Sequence, residues 1–373
     1  MKPFQQLFVA LVILAGANSS EMTEEIIYER FVARNPKIFP FIILPYKIGN
    51  VSPAPCPAQN GIEGTCLTRN KCLKTGGTPH GNCGTNNRGV CCVNELSCGG
   101  ATSARVTYFY SPGYPSFMQT TGNCQLTINQ QNANICQLKI EFLTLELAPP
   151  SIDTNDFGTC SIDYLSLSDN RLPPLCGLNS GQHVYIDFNA ASSYHPISID
   201  TDGNTAYNRK WYMKITQIPC NSTERAPAGC LMYYNETSGT VSSFNYDTEA
   251  PTTGNAAWTR QINNLRYGIC VKPQAGSCSI TWRAASTDAI SLSAQDDTQC
   301  SGTHILIPRS QAVQGQENPD RFCGMSSGGN FPDDGVNTLT TPFVLYYVTQ
   351  LTSETNQQTR GFQLQYRLKQ CGT

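Results

Sequence analysis

The segment "GFQLQYRLKQ", residues 361–370, alternates apolar and polar side chains from Phe362 onward. Successive side chains of a strand point to opposite faces, so this segment has one apolar and one polar face. The same alternation recurs in "HVYIDFN" at 183–189. In addition, "TPFVLYYVTQ" at 341–350 has the aromatic and β-branched content of a strand buried on both faces. Short strands of this kind, separated by Gly, Pro and Asn, predict β-sandwiches.

Twelve of the 18 cysteines form an internal repeat of two sets of six. The first set is Cys98, Cys124, Cys136, Cys160, Cys176 and Cys220, and the second is Cys230, Cys270, Cys278, Cys300, Cys323 and Cys371. The gaps keep their order and approximate size, and "PPLCG" at 173–177 corresponds to "DRFCG" at 320–324. Two copies of one domain, over residues 98–220 and 230–371, explain the pattern best.

The other six cysteines lie close together nearer the start of the chain, at Cys56, Cys66, Cys72, Cys83, Cys91 and Cys92. A segment as short as 56–92 cannot bury enough apolar surface to fold unaided. We therefore predict a small module whose core is three disulfides. Zinc is the alternative, but a lone His80 and two adjacent cysteines supply poor ligand geometry.

The first residues, 1–17, have the pattern of a secretory signal peptide. An apolar run follows one Lys and ends in small residues, and we expect cleavage after Ala17, with 18–55 as a linker or pro-segment. A membrane anchor is the alternative, but the run is too short to span a bilayer and no later segment is long enough. Eighteen cysteines also fit an oxidising compartment. We expect a secreted, extracellular protein with glycosylation acceptors at Asn50, Asn221 and Asn235.

Charged residues make up only 14% of the chain, and the formal net charge is -2. Soluble proteins usually contain about 25% charged residues, so the surface of this chain is mostly neutral and polar. No basic run is present in the sequence. The composition therefore gives no electrostatic footprint for nucleic acid or for an anionic membrane.

The first copy contains "CGG" at 98–100, "YFYSPGYPSFM" at 108–118 and "CSIDYLSL" at 160–167. Together these motifs resemble the CUB domain, a jelly-roll β-sandwich of extracellular proteins, and residues 230–371 resemble it more loosely. Residues 56–92 are similar to the clip domains of arthropod extracellular proteins, and the whole arrangement resembles secreted arthropod CUB-domain proteins. The predicted fold class is all-β, with two jelly-roll, CUB-like sandwiches after a small disulfide-rich module.

The CUB resemblance implies that, of the family's usual four cysteines, the first pairs with the second and the third with the fourth. Each copy adds two more cysteines, Cys136 and Cys220 in the first and Cys278 and Cys371 in the second. They fall where a strand near the start of the domain and the final strand could lie side by side. We expect the added cysteines to bridge each other within each copy.

The resemblance also implies a calcium site in the first copy, formed by three carboxylates at one end of the sandwich: Glu146 in "FLTLEL", Asp163 in "CSIDYL" and Asp202 in "ISIDTD". Three gathered carboxylates repel unless a cation joins them, and such a hard-oxygen cluster suits Ca²⁺. Asp153 and Asp156, in the long stretch before Cys160, could serve the site or disrupt it. The alternative is that all of these are solvated acids at strand ends. The second copy lacks the equivalent acids, so no calcium site is expected there.

Catalysis is not expected. The stretch "CGMSSGGN" at 323–330 faintly echoes a serine-protease motif, but it lacks the Asp, and none of the four histidines lies in a base motif. The sequence therefore predicts a non-catalytic binding protein. Its expected partner is an extracellular protein, presenting Lys or Arg to the calcium site, or a glycan. The alternative is a non-catalytic cofactor or partner in an extracellular serine-protease cascade, recruited through the clip-like module.

Overall fold

A computed structural model gives the fold of the cysteine-rich part of the chain. It describes residues 51, 53–58, 61–118, 120–167, 171–188, 193–202, 207–246, 260–292, 300–312, 319–325, 329–350 and 359–372. The predicted signal peptide, Asn50 and almost all of the predicted linker lie outside the described residues. The prediction of an all-β fold with two sandwiches after a small disulfide-rich module is confirmed.

The N-terminal module is a four-stranded sheet with one short helix. Its elements are β1 (Pro55–Pro57), β2 (Glu63–Leu67), α1 (Arg69–Lys74), β3 (Thr78–Cys83) and β4 (Gly89–Val93). The strands lie in the order β1-β2-β4-β3 and all neighbours are antiparallel. Disulfides take the place of an apolar core, because so short a segment has few apolar side chains to bury. They join Cys56 to Cys91, Cys66 to Cys83 and Cys72 to Cys92.

The first sandwich follows directly and consists of two packed sheets. Its strands are β5 (Glu95–Leu96), β6 (Ala101–Thr102), β7 (Val106–Tyr110), β8 (Gly122–Asn129), β9 (Ile135–Glu146), β10 (Asp163–Leu167), β11 (His183–Asp187), β12 (Tyr194–Thr201) and β13 (Lys210–Pro219). One sheet has the order β11-β9-β13-β7-β5 and the other β10-β12-β8-β6. The alternating apolar residues of these strands meet between the sheets and form the core.

The second sandwich repeats this plan. Its strands are β14 (Cys230–Tyr234), β15 (Ser238–Ser242), β16 (Arg266–Val271), β17 (Ser277–Ala284), β18 (Ile290–Ser291), β19 (His304–Leu306), β20 (Gln311–Ala312), β21 (Arg321–Phe322), β22 (Val336–Thr338), β23 (Phe343–Val348) and β24 (Gly361–Gln370). The sheets have the orders β14-β16-β23-β19-β21 and β15-β24-β17-β22-β20, with β18 also paired to β24. Strand β24 is the segment of unbroken alternation, and its apolar residues are all buried.

Disulfides fix both sandwiches at corresponding places. The first sandwich contains Cys98–Cys124, Cys136–Cys220 and Cys160–Cys176, and the second contains Cys230–Cys270, Cys278–Cys371 and Cys300–Cys323. Within the part of the chain that the structure describes, no cysteine is free. No helix in that part is long and apolar enough to cross a membrane.

Candidate functional site

Asp163, the central residue of the predicted calcium site, is the first residue of β10 and is fully buried. Its Oδ2 accepts a hydrogen bond of 2.8 Å from the backbone N–H of Ala148 and one of 2.6 Å from Nε of Arg209. A carboxylate removed from water needs such partners, because an unpaired buried charge is costly. Asp163 is therefore not a solvated acid at a strand end, which was the alternative interpretation.

Arg209 is the cation of this site, and the sequence analysis missed it. Only 2% of its side chain is exposed, and it immediately precedes β13. Besides Asp163, it contacts Asp202, with Nη2 3.4 Å from Oδ1, while its Nη1 donates to the backbone carbonyl of Tyr207. One guanidinium thus joins two of the three predicted calcium ligands. The sequence places Arg209 and Lys210 at the start of the last strand of the copy, in "NRKWYMKI", but nothing in that segment indicates which acid either cation would meet.

Glu146, the third predicted ligand, ends β9 and pairs with a different cation. Lys210 lies opposite Glu146 in the register of β13 and β9, with Nζ 3.2 Å from Oε1. Both side chains are partly exposed, and the Lys210 ammonium also lies over the ring of Phe117 at 4.6 Å from its centroid. Two cations of the chain therefore pair with the three carboxylates: Arg209 with Asp163 and Asp202, and Lys210 with Glu146.

This arrangement does not fit a calcium ion. Ca²⁺ takes six to eight oxygen ligands, whereas the described residues contain no group of three or more acidic, His or Cys side chains that could hold a metal. The Oδ1 atom of Asp163 is buried and has no hydrogen-bond partner among the described residues. It is a single oxygen on a carboxylate already bound to a guanidinium, whose positive charge would repel a second cation at so short a distance.

Asp153 and Asp156 hold the long loop in shape. The Ser151 hydroxyl donates a hydrogen bond of 2.7 Å to Oδ1 of Asp156 and accepts one from the backbone N–H of Asp153. Hydrogen bonds from Ser161 and Ser151 lower the pKa of Asp156. The carboxylate of Asp156 and the backbone of Asp153 therefore close a turn within the loop.

Comparison with known protein families gives a match within the second sandwich. Residues 227–369 match the animal CUB domain family. CUB domains are typically extracellular protein-interaction modules and are generally not catalytic. The match covers the copy whose motifs resembled the family more loosely. No curated protein matches the chain.

Solved structures with CUB domains also align with the chain at low identity. The CUB1-EGF-CUB2 domains of rat MASP-1 are 13% identical and the alignment covers 74% of this chain and 100% of that chain, with a TM-score of 0.26. The corresponding human MASP-1/3 structure is 14% identical, with 71% and 100% covered and a TM-score of 0.26. The MASP-1 CUB2 domain bound to Ca²⁺ is 20% identical, with 32% and 98% covered and a TM-score of 0.26.

The second sandwich packs against the end of the first that holds Asp163, through two asparagines that fit against two glycines. The backbone N–H of Leu178 donates to Oδ1 of Asn245 at 2.8 Å, beside Gly177. Asn263 donates from its side chain to the Phe157 carbonyl at 2.7 Å and from its backbone to the carbonyl of Gly158 at 2.8 Å. The long loop before Cys160 is therefore an element of the contact between sandwiches.

Strands β11 and β14 form the second part of this contact. Nε2 of His183 lies 3.1 Å from the backbone nitrogen and 3.0 Å from the carbonyl oxygen of Tyr233. Burial, and then the charge of Lys139, lower the pKa of His183 to about 4, so the imidazole is neutral at physiological pH. Tyr185 and Tyr233 pack edge to face beside this hydrogen bond. Side chains of both sandwiches thus share a buried contact.

Proposed function

We propose that the chain is a secreted, non-catalytic protein that binds other extracellular proteins through two CUB-type sandwiches. The observation that carries the proposal is the match of residues 227–369 to the animal CUB domain. The repeat of six cysteines supports the same assignment for the first sandwich. The proposal keeps the predicted boundaries, with a signal peptide over 1–17, a linker over 18–55, a clip-like module over 56–92 and CUB-like domains over 98–220 and 230–371.

Secretion is supported by the disulfides, which are common in extracellular proteins and rare in the cytosol. The glycosylation acceptors Asn221 and Asn235 are exposed, as modification requires. Modification at Asn50, which lies outside the described residues, stays a prediction.

Partner binding by this chain does not require calcium in our proposal. Recognition of a partner's Lys or Arg at Glu146, Asp163 and Asp202 has to compete with Arg209 and Lys210, which already pair with these carboxylates. Other surfaces of the two sandwiches are therefore better candidates for partner binding.

The test is capture of partners from the extracellular fluid of the source organism by the immobilised, disulfide-intact chain, with calcium or with a chelator. We expect the same proteins in both conditions, and none with a reduced and alkylated sample of the same chain. Equal recovery from the intact and the reduced samples would contradict binding through the folded sandwiches. Recovery of serine-protease zymogens would favour the alternative role in a protease cascade, with the clip-like module as the recruiting element.

A further inference from the structure

The outer face of one sheet of the second sandwich carries a groove of about 550 Å³. Strands β15, β24 and β17 form its floor. Three cations line it, Arg283, Arg367 and Lys369, and the remaining lining is mostly hydroxyl and amide side chains such as Ser238, Thr281 and Gln365. The groove is therefore positively charged, in a chain whose overall charge is slightly negative.

The strand register brings the three cations together. Arg367 and Lys369 are two residues apart on the outward face of β24, a separation of about 7 Å along a strand. Arg283 pairs with Gln365 in β17 and β24, so it is a diagonal neighbour of Arg367, at about 7 to 8 Å between Cα atoms. Like charges this close destabilise a sheet unless an anion lies between them.

No acidic side chain among the described residues forms an ion pair with these three cations. Nε of Arg283 donates to the carbonyl of Asp334. Glu236, two residues before Ser238, acts electrostatically on Tyr366 in the groove but forms no ion pair with a groove cation in the described part of the chain. The corresponding face of the first sandwich is different, because Lys139 lies 2.8 Å from Glu141 and Lys214 lies 2.6 Å from Glu63 of the N-terminal module. The lack of counter-charge is therefore particular to the second copy.

The two copies can be compared position by position from their shared disulfides, Cys136–Cys220 and Cys278–Cys371. Glu141 and Arg283 each lie five residues after the first cysteine of the pair, so an acid of the first copy is replaced by a cation in the second. The neighbouring strand changes as well.

On that neighbouring strand, Val106 and Tyr108 in β7 occupy the register positions of Ser238 and Thr240 in β15. In the first copy these apolar side chains are buried beneath the N-terminal module. In the second copy the two hydroxyl residues are exposed. The equivalent faces of the two sandwiches therefore differ. The face of the first is apolar, has paired charges and contacts the N-terminal module, whereas the face of the second is exposed, polar and cationic.

This contrast indicates the chemistry of the ligand. Protein partners usually bury apolar and aromatic anchors, as the N-terminal module does on the first sandwich. The one aromatic residue of the lining, Tyr366, is only 2% exposed, so the groove offers no exposed aromatic anchor. It combines cations with hydroxyl and amide groups that hydrogen-bond to sugars. Carboxylate or sulfate groups carried on a hydroxyl-rich chain match this lining.

We propose that the groove formed by β15, β24 and β17 binds a linear acidic polysaccharide through Arg283, Arg367 and Lys369. This inference goes beyond the proposed function, since it assigns an anionic saccharide to a surface of its own. Binding weakens as salt is added, because the contacts are partly exposed and electrostatic.

The test is titration calorimetry of the full chain with three probes: a heparin-derived octasaccharide, a hyaluronan octasaccharide and a poly-glutamate peptide with as many carboxylates as the hyaluronan octasaccharide. Heparin carries sulfates as well as carboxylates and hyaluronan carries carboxylates alone, so their comparison shows whether sulfate is required. The peptide shows whether a saccharide is required or any chain of carboxylates suffices. We expect at least one saccharide to bind and the peptide not to bind. The single variant Arg367→Gln should weaken saccharide binding about tenfold or more, as expected for a lost charge-assisted hydrogen bond.

The matched control removes the same charge elsewhere. We expect the triple variant Arg283→Gln/Arg367→Gln/Lys369→Gln to lose saccharide binding. By contrast, Arg69→Gln/Lys71→Gln/Arg88→Gln, which removes three exposed cations of the N-terminal module, should bind as the wild type does. Equal binding by the two triple variants would overturn the proposal, as would preference for the peptide or failure of both saccharides to bind.

A second groove variant covers the case in which the triple variant does not fold. Thr240→Glu adds an acid at an exposed position of the groove and keeps all three cations, and we expect it to abolish saccharide binding. Undiminished saccharide binding by Thr240→Glu would contradict the proposal. Failure of this test leaves partner capture by the sandwiches, and hence the proposed function, unaffected.

Discussion

The pair of Asp163 and Arg209 shows how one residue changes the chemistry of a predicted site. Both side chains are almost completely buried, and the distance from Nε to Oδ2 is 2.6 Å. Removing one partner of a buried pair usually costs about 3 to 5 kcal/mol, because the other charge is left without compensation. Arg209 is a cation of the chain itself, and it takes the place that a bound metal ion would have. Its ion pair with Asp163 holds β10 and the residues leading into β13 together at this end of the first sandwich.

Our first prediction concerns calcium. Millimolar calcium should leave the melting temperature of the wild-type chain unchanged, because the guanidinium of Arg209 already pairs with both Asp163 and Asp202. The variant Arg209→Met keeps an apolar stem but leaves these carboxylates without their cation. We expect a lower melting temperature for it, partly restored by calcium, in differential scanning calorimetry.

The control for this prediction is magnesium, which demands octahedral geometry at shorter distances and should restore less stability. The double variant Arg209→Met/Asp163→Asn removes both buried charges and should be more stable than Arg209→Met alone. A rise in the wild-type melting temperature with calcium would show that Arg209 does not block the ion, and the calcium site predicted from the sequence would then stand.

Strands and loops differ in how far their roles follow from the sequence. Strand β24 was predictable, because one face meets the core and the other meets water, so burial repeats with period two. In β11 the alternation puts Tyr185 on the outer face, yet only 5% of it is exposed, because β14 of the next sandwich packs there. The pairing of Asp163 with Arg209 likewise depends on the fold, which brings two segments that are distant in the sequence into contact. The residue pattern within either segment does not indicate that contact.

Our second prediction concerns the loop after Cys176. Gly177 has a φ of +77°, and a Cβ there would lie 2.0 Å from Oδ1 of Asn245. Gly181 has a φ of +83° and nothing within 4 Å of its Cβ position. Either Gly→Ala change costs roughly 1 to 2 kcal/mol for the left-handed backbone. Only Gly177→Ala should also push the sandwiches apart.

Small-angle scattering and limited proteolysis of the connector at 221–229 measure this difference. We expect a larger maximum dimension and faster cleavage for Gly177→Ala, and wild-type behaviour for Gly181→Ala. Identical profiles for the two variants would mean that Asn245 does not hold the sandwiches together. A further variant, Asn245→Ala, should open the contact without any change in backbone conformation of the first sandwich.

Across the whole molecule, three modules are joined by contacts of different chemistry. The N-terminal module meets the first sandwich through the ion pair of Glu63 and Lys214 and through Tyr108, whose hydroxyl accepts a hydrogen bond from the backbone N–H of Glu63. The two sandwiches meet through neutral hydrogen bonds, aromatic rings and one cation, Arg260, which lies over the ring of Phe157 at 4.7 Å from its centroid. Added salt should weaken the first contact more than the second, since among the described residues the partly exposed ion pair belongs to the first.

The last prediction is that acid weakens the contact between the sandwiches. Nε2 of His183 lies against both the backbone N–H and the carbonyl of Tyr233, and it can accept from the N–H only when it carries no proton. Burial is the largest cause that lowers the pKa of this histidine, from 6.5 to about 4. Between these values the unfolded chain binds a proton that the folded chain excludes. Stability is therefore complete above about pH 6.5 and falls as the pH drops toward 4, by a total on the order of 3 kcal/mol. The charged neighbours on the facing strand, Lys139 and Glu141, act in opposite directions on this pKa.

The variant His183→Gln keeps an acceptor for Tyr233 but does not titrate, so the difference between its pH profile and that of the wild type isolates the histidine. Chemical denaturation and small-angle scattering between pH 7 and pH 4 should show a steeper loss of stability and an earlier increase in dimensions for the wild type. Superimposable profiles for the two proteins would show that the contact between the sandwiches does not depend on the charge state of His183.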